Sequence, residues 1–266
     1  MNDWKRYDLV ADTYERVRAP LTAAVAADLV SLAETGPGMR ILDVGTGTGV
    51  AADAAAHAAG DGGVAVGIDM APRMLEVAHR ARPGLRLAAA EAIQLPFRDA
   101  TFDVVVASFV LQEFKRYDTA LFDLFRTIKP GGRFVASTWA AEEDELQRTW
   151  RSLVEATVSK EMVRSALKDA VPWWERFGAA GTLKDTLHEA GLRQVKVERR
   201  TYRFKMDRDD YIAEQGTRAL GRFVHGMLGD RGWGSFEERA RSTFAQQFGE
   251  QVEDSREVLL VAGTKP

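Results

Sequence analysis

The chain contains no cysteine, no long apolar run and no strong excess of either charge. Without cysteine it cannot form a disulfide, a thiolate nucleophile or a cysteine-based metal site. No segment is apolar for long enough to span a membrane, and the first residues have neither the apolar core of a signal peptide nor an arginine-rich transit pattern. A formal net charge of -3 over 266 residues argues against a general nucleic-acid binder. We therefore expect a cytoplasmic protein that does not bind nucleic acid.

Short apolar strands alternate with helical patterns from residue 40 to residue 139. The patterns predict strands at 40–44, 64–68, 85–89, 102–108 and 133–139, with helices at 50–59, 72–82 and 118–128 between them. Such alternation is typical of a parallel sheet with right-handed crossovers. The flanking patterns predict helices at 4–18, 21–33, 142–167, 182–190 and across most of 207–248, and strands at 192–204 and 257–262. Residues 129–132 are predicted as a turn, and Thr182 as the N-cap of the helix at 182–190. Apolar residues change face between Val197 and Tyr202, which predicts a bulge or a strand that outruns the sheet.

A glycine-rich loop follows the first strand, with glycines at 45, 47 and 49. Glycine lets the backbone turn sharply and approach a ligand closely, so the loop predicts a nucleotide-like ligand. The dinucleotide fingerprint needs a third glycine where this chain has Val50, so that pattern fails at its last position. Carboxylates sit in or after the first three strands, at Asp43, Asp69 and Glu91, where they could reach a ligand amine, ribose hydroxyls and an adenine edge.

These residues form part of an ordered set that resembles a known family. The set comprises Asp43-Val44-Gly45-Thr46-Gly47-Thr48-Gly49, Gly67-Ile68-Asp69, Glu91-Ala92, Leu95-Pro96-Phe97-Arg98-Asp99, Phe102-Asp103 and Lys129-Pro130-Gly131-Gly132-Arg133. In order and spacing it resembles the class I S-adenosylmethionine-dependent methyltransferases, and their small-molecule and quinone-biosynthesis branch most closely. The resemblance covers roughly residues 1–139 and is looser beyond them.

The family resemblance implies an α/β fold, a doubly wound, mostly parallel, seven-stranded Rossmann-like sheet whose last strand is antiparallel. It also implies a division of the chain into a cap, a core and a lid. The N-terminal helical cap would be residues 1–34, and the cofactor-binding core residues 35–206 and 256–266, with 140–181 partly lid. A helical lid would occupy residues 207–255, between the last two strands.

The resemblance implies S-adenosylmethionine as cofactor and S-adenosylhomocysteine as product. Asp69 would hold the ribose hydroxyls, and Glu91 would accept a hydrogen bond from the adenine amine, beside the Ala92 N–H. An N-terminal aromatic, Tyr14 or Tyr7, would reach over the cofactor. The other implied contacts are Asp43, Gly45, Thr46, Gly47 and Gly49 at the methionine part, Met70 and Met74 at the adenine, and Ser108, Phe109 and Val110 under the sulfonium.

The reaction would be an in-line displacement that transfers the methyl group to O, N or C of a hydrophobic small molecule, without a metal ion. An oxygen or carbon nucleophile needs a base, and the two candidates are Glu113, just past the fourth strand, and His225 in the lid. Many relatives place a histidine pair where this chain reads Leu111-Gln112-Glu113-Phe114. The predicted acceptor pocket is aromatic, with the candidates Trp139, Trp173, Trp174, Phe177 and Phe223.

Three alternatives stay open at this point. An NAD(P)-dependent oxidoreductase would use a similar loop, but the chain has no Tyr-x-x-x-Lys for hydride chemistry. A non-catalytic scaffold could keep the S-adenosylmethionine or S-adenosylhomocysteine site. An enzyme of the same fold could use the cofactor for another reaction. A homodimer also stays open.

Overall fold

A computed structural model describes residues 7–140 and 143–266. The start of the predicted helix at 4–18 and of that at 142–167 lie outside these residues. The strands are β1 Arg40–Val44, β2 Val64–Asp69, β3 Arg86–Ala89, β4 Phe102–Ser108, β5 Ile128–Trp139, β6 Arg193–Asp207 and β7 Gln251–Thr264. The helices are α1 Ala11–Val17, α2 Ala19–Leu32, α3 Val50–Ala59, α4 Pro72–Ala81, α5 Tyr117–Thr127, α6 Glu145–Glu155, α7 Lys160–Ala170, α8 Trp174–Phe177, α9 Ala180–Glu189, α10 Arg208–Thr217 and α11 Ala219–Gln247.

The seven strands form one sheet in the order β3-β2-β1-β4-β5-β7-β6. Strands β1 to β5 pair in parallel, and β7 runs antiparallel to both β5 and β6. This confirms the predicted doubly wound sheet with its antiparallel last strand. The strand order reverses between β1 and β4, and a parallel sheet opens a crevice for ligands at the carboxyl ends of the strands on either side of such a reversal.

Three local predictions were wrong. Residues 129–132, predicted as a turn, belong to the irregular first part of β5, where the register with β4 shifts. The single helix predicted at 142–167 is two helices, because Ser159 caps α7 by accepting from the Met162 N–H. Thr182 does not cap α9; its hydroxyl lies one turn inside that helix and donates to the Arg176 carbonyl over 2.6 Å.

The β6–β7 ribbon extends beyond the sheet. Strand β5 ends opposite Val258, whereas β6 and β7 stay paired until Asp207 faces Gln251. A register shift also occurs between Arg193 and Lys196. This register shift lies before Val197, so it does not account for the change of apolar face between Val197 and Tyr202. That change coincides with the overhang, where the ribbon leaves β5 and packs against other residues. Strand β7 starts inside the segment 207–255 that was predicted as helical lid.

A separate apolar core holds four of the helices after residue 139 together. Helices α6, α7, α10 and α11, which we call the helical layer, pack around Trp150, Tyr211, Phe236 and Phe244 and against the start of β7. The two main cores on the faces of the sheet contain other residues. Among the described residues, no helix is both long enough and apolar enough to cross a bilayer. The division into cap, core and lid stays a prediction, apart from the corrected start of β7.

Candidate functional site

A cavity of about 320 Å³ opens at the carboxyl ends of β1, β2 and β4, and we call it the switch-point cavity. It has the size of a small-ligand pocket. Many of the residues predicted to contact a cofactor line it: Tyr14, Gly45, Gly47, Asp69, Met70, Met74, Glu91, Ala92, Ser108, Phe109 and Val110. The structure therefore gathers residues from five separate stretches of the chain around one cavity.

The glycine loop is shaped by close contacts and left-handed backbone. A Cβ on Gly45, which has φ of 68°, would lie 2.6 Å from Val110 Cγ2. A Cβ on Gly47 would meet nothing within 4 Å, so this residue leaves open space. Gly49 is not on the cavity wall: it precedes α3 with φ of 92°, and a Cβ there would press on Leu85. Gly49 therefore serves the turn into α3 and not the cavity surface.

Asp69 ends β2 on the wall of the switch-point cavity. One of its carboxylate oxygens accepts from the Gly47 N–H over 2.8 Å, and the other accepts from the Ala71 N–H over 2.9 Å. Burial raises the pKa of Asp69, and these amide hydrogen bonds offset only part of the effect. Each oxygen keeps a second lone pair for a donor from a ligand.

Asp43 lies behind the loop and not on the wall of the switch-point cavity. It is 1% exposed, and its carboxylate accepts from the Thr46 hydroxyl over 2.6 Å. Burial raises its pKa to about 7, and the hydrogen bond from Thr46 offsets only part of that rise. Both side chains border a separate small void of about 30 Å³. This internal hydrogen bond holds the loop, and the contact of the two residues with the methionine part of a cofactor stays a prediction.

A second cavity, of about 910 Å³, lies between the sheet and the helical layer, and we call it the aromatic cavity. Its apolar wall includes Trp139, Trp150, Leu167, Trp173, Trp174 and Leu220. Its polar wall includes Gln112, Glu143, Arg151, Arg164, Lys168, Glu175, Arg176, Arg218, Arg222, Arg256 and Glu257. The predicted aromatic pocket residues Trp139, Trp173 and Trp174 are therefore brought together on one wall.

Four residues line both cavities: Tyr7, Arg18, Phe109 and Glu113. Phe109 stacks on Trp139 with ring centroids 4.1 Å apart. Its φ is 56°, a left-handed conformation that costs a residue with a Cβ about 1–2 kcal/mol. The Ser137 carbonyl holds this turn by accepting from the Phe109 N–H over 3.0 Å. Strain of this kind at a ligand cavity indicates that the position of the ring matters for function.

Glu113 lies in a short 3-10 turn after β4, at the junction of the two cavities. The Tyr7 hydroxyl donates to its Oε1 over 2.6 Å. Burial and the neighbouring Glu113 raise the pKa of Tyr7 well above its usual value, although Arg222, 3.7 Å from the centre of the tyrosine ring, opposes the shift. Tyr7 therefore stays protonated and donates to the carboxylate. Of the two candidate bases, Glu113 lines both cavities and His225 lines neither.

Three predicted residues lie elsewhere. His225 is on neither cavity wall; its Nε2 lies 2.9 Å from Asp230 Oδ1, and its ring stacks on Trp233. Phe177 is fully buried and meets Tyr117 edge to face, because the short helix α8 turns it into the core under the sheet. Phe223 packs within the helical layer. These positions correct the predictions for a histidine base and for two aromatic wall residues.

The most important residues that the sequence analysis missed are four arginines of the aromatic cavity. Arg18 follows α1, Arg218 and Arg222 lie around the start of α11, and Arg256 is in β7. They are up to 238 residues apart along the chain (256 minus 18), so no local motif marks them. Within residues 7–140 and 143–266, no group of three or more histidine, aspartate or glutamate side chains has the spacing of a metal site.

Comparisons with known proteins agree with this geometry. The family model described as "Methyltransferase domain" matches residues 42–136. A demethylmenaquinone methyltransferase of Beutenbergia cavernae is 32% identical over 201 residues, which cover 72% of this chain and 80% of that protein. The ubiquinone/menaquinone biosynthesis C-methyltransferase UbiE of Shewanella frigidimarina is 30% identical over 220 residues, which cover 72% of this chain and 85% of that protein.

A solved S-adenosylmethionine-dependent methyltransferase from Thermotoga maritima has the same fold, with a TM-score of 0.58 and 19% identity, over 99% of this chain and 100% of that one. The family model and the two curated relatives decide between a methyltransferase and an oxidoreductase, because the residues matched by the model include the glycine loop, Asp43, Asp69 and Glu91. The protein is an enzyme that uses S-adenosylmethionine, and not a nicotinamide-dependent oxidoreductase. The chain belongs to the class I S-adenosylmethionine-dependent methyltransferases, in their quinone-biosynthesis branch.

Proposed function

We propose that this enzyme methylates a ring carbon of a reduced quinone-type aromatic molecule, and that Glu113 takes up the proton of the ring hydroxyl. The observation that carries the proposal is the position of Glu113, on the shared wall of the switch-point and aromatic cavities. The relatives support the acceptor class, since they are a demethylmenaquinone methyltransferase and a ubiquinone/menaquinone biosynthesis C-methyltransferase.

The residues of the switch-point cavity fit the cofactor. Asp69 keeps free lone pairs for the ribose hydroxyls, and the exposed Glu91 carboxylate can accept from the adenine amine. Met70 and Met74 offer an apolar surface to the base, and the open side of Gly47 leaves room for the methionine part. When bound, S-adenosylmethionine supplies an electrophilic methyl carbon and leaves as the thioether S-adenosylhomocysteine.

The chemistry of a ring carbon explains why a base is needed. A neutral hydroxyarene is a weak carbon nucleophile, and loss of the hydroxyl proton raises the electron density on the neighbouring ring carbon. Glu113 is placed to accept that proton. The Tyr7 hydroxyl donates to Glu113 Oε1 over 2.6 Å and keeps the carboxylate oriented. The new carbon–carbon bond would form as the methyl–sulfur bond breaks, with its electron pair going to sulfur. The displaced ring proton then passes to water, and the proton held by Glu113 returns to the ring oxygen, which restores the aromatic hydroxyarene.

The walls of the aromatic cavity suit a planar acceptor. Phe109 and Trp139 form one stacked pair, and Trp173 meets Tyr117 edge to face with centroids 4.6 Å apart. Aromatic side chains bind flat rings with offset or edge contacts and keep water away from the reacting atoms. We place the acceptor ring against Phe109, next to Glu113, and any apolar tail towards Trp173, Trp174 and Leu167.

The test is product formation by wild type and Glu113→Gln, with S-adenosylmethionine and 1,4-naphthohydroquinone under anaerobic conditions. We expect a carbon-methylated product by NMR and a fall in kcat of about 100-fold or more in the variant, because general-base catalysis contributes that much. The affinity for S-adenosylhomocysteine should change less than threefold. Glu175→Gln, at an exposed carboxylate of the aromatic cavity, is the matched control.

Two results would contradict the proposal. One is a methyl ether as product, which would place the reaction on oxygen. The other is a Glu113→Gln enzyme with more than a third of the wild-type kcat, which would exclude Glu113 as the base.

A further inference from the structure

One end of the aromatic cavity is lined by guanidinium groups. Arg18, Arg218 and Arg256 surround the indole of Trp139, with their Cζ atoms 5.6, 5.3 and 5.7 Å from the ring centroid. Their side chains are only 11%, 18% and 9% exposed. Arg222 lies on the same wall, over the ring of Tyr7. Several nearly buried cations therefore face the place where an acceptor would bind.

The carboxylates that pair with Arg18, Arg218 and Arg256 do not line the aromatic cavity. Glu214 accepts from Arg218 Nε over 2.8 Å and from Arg18 Nη1 over 3.2 Å. Asp254 accepts from Arg256 Nε over 2.8 and 2.9 Å. Both carboxylates are about 1% exposed, and neither is on the cavity wall. They hold the guanidiniums from behind, so that the arginines present positive charge to the cavity.

Hydrogen-bonding capacity is left over on the cavity side. Among the described residues, Arg218 forms its hydrogen bonds to Glu214 through Nε, its terminal nitrogens have no hydrogen-bond partner, and Nη2 lies 4.0 Å from an Asp254 oxygen. The buried Nε of Arg18 also has no hydrogen-bond partner there. A guanidinium is a planar fork of donors that matches a carboxylate, and a charge this far out of water needs such a partner.

The acidic groups of the cavity wall near this end have other partners: Glu143 pairs with Arg151, and Glu257 pairs with Arg199. Asp144 uses its two oxygens on the amides of Gln147 and Ser255, and burial raises its pKa. Glu113 faces the arginines from the junction of the cavities and accepts from Tyr7. The cluster is thus arranged to receive an anion from outside the chain.

We propose that the acceptor carries a carboxylate besides its hydroxylated aromatic ring, and that Arg218, assisted by Arg18 and Arg256, binds that carboxylate over Trp139. The arginines then form a site that selects a hydroxyarene carboxylate over the corresponding neutral hydroxyarene. This proposal extends the proposed function, which concerns the ring and its methyl transfer and would hold for either kind of acceptor.

The test compares two ligands that differ only in the carboxylate, 1-hydroxy-2-naphthoate and 1-naphthol. Each is titrated calorimetrically into full-length protein saturated with S-adenosylhomocysteine. We expect wild type to bind the carboxylate at least about tenfold more tightly, which is the low end of what a charge-assisted hydrogen bond contributes. In Arg218→Gln this ratio should fall to about threefold or less, while the affinity for 1-naphthol changes little.

Removing Arg218 alone leaves the buried Glu214 with a single cation, so the variant could unfold. The double variant Arg218→Gln/Glu214→Gln removes both charges and should show the same loss of preference. Arg16→Gln is the matched control, because Arg16 of α1 pairs with Asp210 of α10 on the exposed surface, and neither residue lines either cavity. It should keep the wild-type ratio.

Equal binding of the two ligands by wild type would overturn the proposal. An equal loss of affinity for both ligands in the Arg218 variants would do the same, because it would mean that the arginine only shapes the cavity. Neither titration depends on methyl transfer, whereas the Glu113 experiment measures only turnover. Failure of the carboxylate site and failure of the proposed reaction can therefore be distinguished.

Discussion

Buried carboxylates near the glycine loop and in the helical layer have opposite electrostatic environments. Burial raises the pKa values of Asp43 and Asp69, and no lysine or arginine side chain among the described residues forms an ion pair with either. Burial would also raise the pKa of Glu214, but Arg218 and Arg18 outweigh it and lower that pKa. One cavity is therefore poised for a ligand that brings cations and hydroxyl donors, as S-adenosylmethionine does, and the other for a ligand that brings an anion.

The strongest test of this contrast is the pH dependence of unfolding without ligand. The folded-state pKa of Asp43, about 7, lies above its unfolded value of about 4, so the folded protein binds this proton more tightly. Stability from this group is complete below pH 4 and is lost as the pH rises towards 7. We expect the free energy of unfolding of Asp43→Asn, measured in urea, to rise relative to that of wild type by about 4 kcal/mol across that pH range.

Glu214 should behave in the opposite way. Its pKa is lowered by folding, so the stability it contributes is present above its unfolded pKa of about 4.3 and is lost as the pH falls through the folded value. The loss of unfolding free energy in Glu214→Gln, relative to wild type, should therefore be largest near neutral pH and smallest in acid. Asp61→Asn, at an exposed site, should run parallel to wild type. Curves of unfolding free energy against pH that run parallel to wild type for all three variants would contradict the contrast between the two regions.

A smaller effect is expected at Asp69, where the contrast concerns ligand binding. Asn keeps the shape of Asp69 but replaces one acceptor oxygen by an amide, which would face the Gly47 or Ala71 N–H. We expect Asp69→Asn to weaken S-adenosylhomocysteine binding by about 30- to 100-fold in calorimetric titration, since a buried unsatisfied donor costs about 2–3 kcal/mol. Asp99→Asn, at an exposed carboxylate beyond β3, is the control.

Binding of S-adenosylhomocysteine within threefold of wild type by the Asp69 variant would contradict the ribose role. NADH serves as a second ligand for the wild-type protein. It should not bind, because a dinucleotide site would need the glycine that Val50 replaces.

The two regions also differ in how much of their structure can be predicted from the sequence. Strands β1 and β4 and helix α3 have the predicted bounds, because apolar runs covered on both faces are bounded by a glycine loop or by acidic turns. Asp69 and Glu91, both predicted as ligand contacts, line the same cavity, since the carboxyl ends of parallel strands meet at one edge of the sheet. Local order along the chain is enough to place such residues.

The arginine end of the aromatic cavity could not be predicted in this way. Arg18 follows α1, Arg218 precedes α11 and Arg256 lies in an overhanging strand, so they meet only once the helical layer has packed on the ribbon. Phe177 was misplaced for the same reason: an aromatic cluster in the sequence does not reveal which ring a four-residue helix turns into the core. Tertiary packing, and not the local pattern, decides both cases.

The smallest expected effect lies on the apolar wall of the aromatic cavity, at Trp173 and Trp174. Alanine at both positions removes two flat contact surfaces and should weaken 1-naphthol binding to the S-adenosylhomocysteine-loaded protein by about tenfold. Binding of S-adenosylhomocysteine itself should change less than twofold, since neither tryptophan lines the switch-point cavity. Trp233→Ala is the matched control, because Trp233 stacks on Phe236 inside the helical layer and lines neither cavity. A parallel loss of both ligands in the double variant would show that these tryptophans support the whole fold, and that the two cavities are not as independent as their opposite charges imply.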